Sequence, residues 1–269
     1  MKAIRYHEYG TTEVLRQEEV DRPSPGPGQV LVKVTSTSFN PVDDHIRLGV
    51  LAEAIPALLP ITPGLDLAAT APTSVPLADA AALPLTGLAA RQAVIELAEV
   101  RPGQTVLVNG AGGAVGSIVV QLAADVGAHV TAVDAPRHAG RLRRYGAENV
   151  VGPLDLDAGP AAVDGPFDVV INHVRLAPEG LAALTAYVAD GGIAVSSAGP
   201  VPADEERSVR TACVWVASDG SHLADLVARV DGNRLAVHVV DRRPLAHLPA
   251  VHAESAAGTL VGKTVITVP

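Results

Sequence analysis

Four glycines fall within seven positions of LVNGAGGAVGSIVVQLAADVG (residues 107–127): Gly110, Gly112, Gly113 and Gly116. Side-chain packing cannot account for them, because glycine has no side chain to pack. What glycine permits is a sharp turn and a close approach of a ligand to the main chain. An A-x-G-x-x-G spacing runs from Ala111 through Gly113 to Gly116, between a short apolar strand and a helix. That is the arrangement that cradles a dinucleotide pyrophosphate. The candidate binding positions are Gly110, Gly113, Ala114, Val115 and Gly116, whose amides sit where a helix begins and its dipole is positive. Asp134 ends the next strand, 18 residues beyond Gly116, where a carboxylate can accept from the ribose hydroxyls of adenosine. Two plainer readings stand beside these. The glycines could make a ligand-free turn, and Asp134 could cap a helix starting at Pro136.

The surrounding pattern supplies the elements that such a site needs. TVLVN leads into the glycines, and a helix is expected over 114–126. There follow the strand HVTAVD, a helix over 138–145, the strands NVV and FDVVIN, a helix over 178–189 and the strand GIAVSS. Strands alternating with helices imply right-handed βαβ units around a parallel sheet. Residues 1–70 read as strands, with QVLVKVTSTSFN alternating like a half-buried one. The segment from 78 onward is helical and broken at Pro84. From about His222 the tail adds a helix, the strand LAVHVV, another helix and the strand KTVITV. The fold class is therefore α/β, a doubly wound Rossmann-type sheet beside a β-rich domain.

Composition narrows the partners. The 269 residues hold one cysteine, Cys213, which reads as a buried, inert strand residue. A net charge of −9 argues against nucleic acid, and 3% aromatic residues argue against base stacking. No run of about 18 apolar residues suggests a membrane span. The N-terminus MKAIRYHEYG lacks a signal peptide's apolar stretch, which points to the cytoplasm. A small-molecule substrate is the expected partner.

The chain also resembles the zinc-free quinone oxidoreductase branch of the medium-chain dehydrogenase/reductase superfamily. The resemblance rests on its first 34 residues, on SFNPVDDHIRLG, on ADAAALPLTGLAARQAV and on GTLVGKTVITV. It implies a GroES-like catalytic domain built from both chain ends (1–77 and 222–269) around a Rossmann domain (78–221). It implies NAD(P)H as cofactor, no metal, and hydride transfer to a quinone or enone. A late strand, here RTACVWVAS around Val214, pairs across a two-fold axis in that family, so a homodimer is expected. By resemblance Thr86 lies near the nicotinamide, and Asn40, Asp43 and His45 belong to the substrate-side motif. Of these His45 can donate a proton near neutral pH, whereas Asn40 and Asp43 could simply brace the loop.

Several departures bear on function. PGLDLAAT runs straight into APTSVPLADAAALPL, where the family carries several more strands, so either the catalytic domain is truncated near Thr70 and Ala71 or a stretch that belongs there is missing from these 269 residues. Asp134 replaces the small residue typical of NADPH users, favouring NAD(H), although Arg137 could take a 2′-phosphate. A D-x-V-G-G segment beside the nicotinamide is replaced by INHVRLAPEG. Asn172 there remains a cofactor candidate, and His173 and Arg175 become candidates for binding an anionic or carbonyl substrate. These losses keep open a second reading, a redox-neutral cyclase, isomerase or lyase, or a binding protein, on the same fold.

Overall fold

The computed structural model describes residues 1–66 and 71–268. The contacts of the chain divide it into two compact units, residues 1–84 with 237–269, and residues 85–236.

The second unit is a six-stranded parallel sheet. Its strands are β4 (Thr105–Asn109), β5 (His129–Val133), β6 (Asn149–Val151), β7 (Phe167–Asn172), β8 (Val188–Ser196) and β9 (Arg210–Cys213). They lie in the order β6-β5-β4-β7-β8-β9. The chain thus steps outward from β4 in one direction and then returns to continue in the other. The carboxyl ends of β4 and β7 border that switch, where doubly wound sheets bind ligands. Val106, Leu107 and Val108 of β4 are wholly buried, each contributing about 1.5–3 kcal/mol of apolar burial. A central strand covered on both faces reads as such an unbroken apolar run. The helices are α3 (Pro84–Arg91), α4 (Ala114–Val126), α5 (Ala139–Arg144), α6 (Pro178–Ala183) and α7 (Gly220–Asp231), following α1 (Pro41–Arg47) and α2 (Leu77–Ala80) of the first unit. α4 stops where Gly127 turns left-handed at φ 94°. α3 continues into a π-helical segment, Gln92–Leu97.

The first unit holds β1 (Lys2–Arg5) paired with β2 (Arg16–Glu19), and a three-stranded sheet of β10 (Asp241–Pro244), β11 (Thr264–Thr267) and β3 (Ser36–Ser38). α8 (Leu248–Ala256) packs against α1. A buried ionic knot ties those two helices: Asp44 Oδ1 lies 2.6 Å from His252 Nδ1 and accepts from Arg47 at 2.9 Å. Although burial works against it, the hydrogen bonds from His252, Ser255 and Arg47 hold the Asp44 carboxyl down near 2.

Several expectations are corrected. QVLVKVTSTSFN forms a strand only over Ser36–Ser38, and Val30 is 85% exposed. An alternating segment becomes a strand only against a partner edge, and among the described residues 29–35 join no strand ladder. NPVDDHIR is a helix rather than part of a strand-only region, because Asn40, Pro41 and Asp43 make a helix start. LAVHVV is not a strand; pairing with β11 begins at Asp241. The helix expected over 178–189 ends at Ala183 in a short 3₁₀ turn, and β8 starts at Val188. α7 belongs with the second unit, so the return to the first comes at Val237 rather than at His222. The reason is packing: Leu223, Leu226 and Val230 are buried, and Gln121 on α4 bonds the backbone of Ala236 at both ends of its amide. The forward boundary likewise falls at Leu85 rather than 78. Cys213 is exposed, not buried, because β9 is an edge strand with a neighbour on one side only. The truncation expected near Thr70 falls on residues outside those described.

Candidate cofactor-binding site

The site is built where β4 gives way to α4. Gly110 turns left-handed at φ 82°, and a Cβ there would sit 3.0 Å from Val174 Cγ2. Gly110 and Ala111 donate their N–H groups to Val133 O at 3.1 and 3.2 Å, pinning the loop to the end of β5. Gly113 N donates back to Gly110 O at 3.1 Å, and Gly113 occupies the N-cap of α4. Ala114, Val115 and Gly116 then form the first helical turn, whose N–H groups have no intrahelical acceptor. A Cβ at Gly116 would collide with the Gly110 carbonyl oxygen. Gly116 therefore serves the close packing of helix on loop, while Gly113 lies where a ligand would meet the backbone.

Asp134 closes one side of this loop. Its Oδ2 accepts from Gly112 N at 2.6 Å, and its Oδ1 accepts from Ala135 N at 2.7 Å and lies 2.7 Å from His138 Nδ1. It does not cap a helix; Ala135 holds the N-cap position of the short 136–138 turn. A carboxylate has about four acceptor positions, so Oδ2 keeps capacity for a hydroxyl. Arg141, on α5, donates to Gly112 O at 2.7 Å. A cleft of about 330 Å³ opens at the ends of β4–β7, bounded by Asp134 and by Pro153, Leu154, Leu156, Val174 and Leu176. An apolar wall facing a carboxylate suits a flat base joined to a hydroxylated sugar, and the open amides of α4 suit the phosphates beyond it.

Gly110, Gly113, Ala114, Val115, Gly116 and Asp134 are thus brought together. Arg137 is exposed on the turn beside them. Asn172 is 1% exposed, and its side chain is spent internally: Oδ1 accepts from Asn109 Nδ2 at 2.9 Å and Val174 N at 3.2 Å, while Nδ2 donates to Val174 O and Ser196 Oγ. It shapes the rim of the site and has no donor left for a cofactor. His173 Nδ1 pairs with Ser197 Oγ at 2.7 Å, and its buried Nε2 meets no hydrogen-bond partner among the described residues. Burial pushes this imidazole down to about 4, so the ring is neutral and suits a carbonyl better than an anion. Arg175 is exposed just beyond it. Thr86 is buried on α3. Three participants were not foreseen: Asn109, His138 and Arg141. For His138 a signal existed, since it follows Asp134 by four positions, one helical turn.

The substrate-motif residues lie in the first unit. Asn40 N donates to Asp43 Oδ2 at 2.8 Å, and Asn40 Nδ2 donates to Asp66 Oδ2 at 2.7 Å. Lys263 Nζ donates to Asn40 Oδ1 and, at 3.1 Å, to Phe39 O, with Asp66 Oδ2 3.6 Å away. All four side chains are buried. Burial, reinforced by Asp66, pushes the Asp43 carboxyl up to about 7, and burial pulls the Lys263 ammonium down. Asn40 and Asp43 brace the start of α1. His45 is half-buried on the same helix.

The chain is similar to several known proteins. The family model described as zinc-binding dehydrogenase matches residues 145–266. A chloroplastic quinone-oxidoreductase homolog of Spinacia oleracea is 28% identical over 199 residues, 56% of this chain and 60% of the relative. The chain thus spans about 60% of that relative's length. A 2-methylene-furan-3-one reductase of Solanum lycopersicum is 27% identical over 322 positions, 99% of this chain and 79% of the relative. That alignment is longer than the 269 residues here, so the tomato protein carries residues with no counterpart in this chain. Among solved structures, a mycobacterial protein complexed with NADPH superposes with a TM-score of 0.81 at 24% identity, covering 99% of each chain. The six-stranded parallel sheet, the glycine loop and these similarities point the same way: the chain is similar to quinone-oxidoreductase-like proteins of the medium-chain dehydrogenase/reductase superfamily.

Proposed function

We propose that this chain is a nicotinamide-dependent oxidoreductase that reduces a conjugated carbonyl, a quinone or an enone. The observation that carries the reading is the Asp134 carboxylate fixed over the glycine loop at the mouth of a nucleoside-sized cleft. Bound nicotinamide would supply hydride; the residues of this chain bind and orient it and manage the proton. Gly113, Ala114, Val115 and Gly116 offer amides to the pyrophosphate, Asp134 takes the adenosine ribose, and Leu154, Leu156 and Leu176 flank the base. Asp134 also favours NAD(H), because a carboxylate repels a 2′-phosphate. Hydride delivery to an enone leaves an enolate, and His45 is the group assigned to protonate it. The reaction needs no metal on this reading. Two names among the relatives, a quinone-oxidoreductase homolog and a methylene-furanone reductase, support the substrate class.

The working unit on this reading is a homodimer joined along β9, the outer strand on that side of the sheet. Trp215, just past it, is 69% exposed, an aromatic that a partner would cover.

The test is direct. NADH and NADPH are titrated against the protein by nicotinamide fluorescence, and the complex is then mixed with a quinone and with a cyclic enone. Saturable binding followed by loss of the reduced-nicotinamide absorbance supports the proposal. Absence of binding by both cofactors sinks it.

A further inference from the structure

Asp134 does not stand alone at the ribose position. We propose that His138 sets the cofactor preference of this chain, as a positioning residue for Asp134 whose charge state decides how strongly a 2′-phosphate is rejected. The proposal rests on the nicotinamide-cofactor reading above and adds to it the residue that controls discrimination.

The geometry leaves Asp134 little freedom. One carboxylate oxygen is held by the Gly112 amide at 2.6 Å and the other by His138 Nδ1 at 2.7 Å. A Cβ at Gly112 would collide with both the His138 ring and the Asp134 carboxylate, so the three groups are in mutual contact. Both side chains are largely sheltered, 23% exposed for His138 and 16% for Asp134. A carboxylate clamped from two sides cannot swing away from an incoming phosphate.

The charge balance then depends on the imidazole. The groups around it are Asp134 at the end of β5, Arg141 on α5 with its guanidinium on Gly112 O, and exposed Arg137 on the turn between; the glycine loop presents only backbone. With a neutral ring, Nδ1–H donates to Asp134 and the pair carries one negative charge. With a protonated ring the pair is neutral, and the two arginines leave the ribose edge net positive. NADP(H) is therefore excluded in the first state and tolerated in the second. NAD(H), which brings hydroxyls rather than a phosphate to Asp134, is affected little by the change.

Dissociation constants for NADH and NADPH, measured by calorimetry on wild type, His138→Gln and Asp134→Asn from about pH 8 to about pH 5.5, test this. A phosphate monoester itself titrates near about 6, which softens repulsion in every variant, so the comparison between variants is the readout. In wild type the ratio of NADPH to NADH dissociation constants should fall about tenfold further than in His138→Gln, the effect of removing one unit of charge at close range. Asp134→Asn should show a low ratio at every pH. Equal slopes in wild type and His138→Gln overturn the proposal. So does a His138→Gln variant that loses affinity for both cofactors equally with the ratio unchanged, which is what a merely structural role would give. Binding of neither cofactor by wild type strikes instead at the nicotinamide reading itself.

Discussion

Asn109 and Asn172 join the carboxyl ends of β4 and β7 through a buried hydrogen bond, Nδ2 to Oδ1 at 2.9 Å, at the point where the sheet reverses its strand order. Because Asn172 also bonds Val174 and Ser196, it fixes the loop that lines the cleft. Asn172→Ala would leave Asn109 buried without this acceptor, a loss of about 1–3 kcal/mol. Urea denaturation should register that drop in the absence of any cofactor. A variant as stable as wild type but weaker in cofactor binding would instead make Asn172 a direct ligand.

Gly113 and Gly116 should separate under substitution. A Cβ at Gly113 meets only Gly110 O, at 3.3 Å, whereas one at Gly116 strikes that oxygen and the Ala111 backbone. Gly116→Ala should therefore destabilise the fold by about 1–3 kcal/mol, the usual range for overpacking. Gly113→Ala should unfold near the wild-type midpoint and bind NADH at least about tenfold more weakly, because a methyl group intrudes where the phosphates approach. Equal NADH affinity in Gly113→Ala and wild type would remove the glycine loop from cofactor binding.

The buried carboxyl of Asp43 gives stability a pH dependence of definite sign. Its value rises from 3.8 unfolded to about 7 folded. Between those limits the folded state holds a proton that the unfolded state has released, so stability falls as pH rises from about 4 to about 7. Asp44 acts oppositely: held near 2 in the fold, it contributes stability above 3.8 that is lost as pH falls toward 2. Asp43→Asn keeps an oxygen for the Asn40 N–H and removes the titration. Urea midpoints at about pH 4.5 and about pH 7.5 should therefore converge in the variant relative to wild type. A wild-type slope unchanged by the substitution would show that Asp43 ionises normally in the folded chain.

His45 is the residue to test for chemistry. His45→Gln should slow enone reduction at least about tenfold, the low side of what a general acid contributes, and leave NADH affinity as in wild type. Unchanged turnover would transfer protonation to water.

The local part of this protein was readable from residue order. A strand, four glycines, a helix and an acid at the next strand end announce one another, because each is specified within a few residues by backbone sterics and hydrophobic period. β4, α4, β5 and β7 accordingly lie within a residue of where the pattern put them. Contacts between distant segments were not readable. QVLVKV has the alternation of a strand and remains unpaired, since alternation specifies a face and not a partner. Asn172 looked like a ligand and proved to be spent on Asn109, which comes 63 residues earlier in the chain. The pH-sensitive character of Asp43 comes from burial beside Asp66 and near Lys263, three positions that only folding brings together. His138 lies between these cases: its spacing from Asp134 is written in the sequence, but only the turn of the chain closes Asp134 onto Gly112 and brings the histidine to the candidate site.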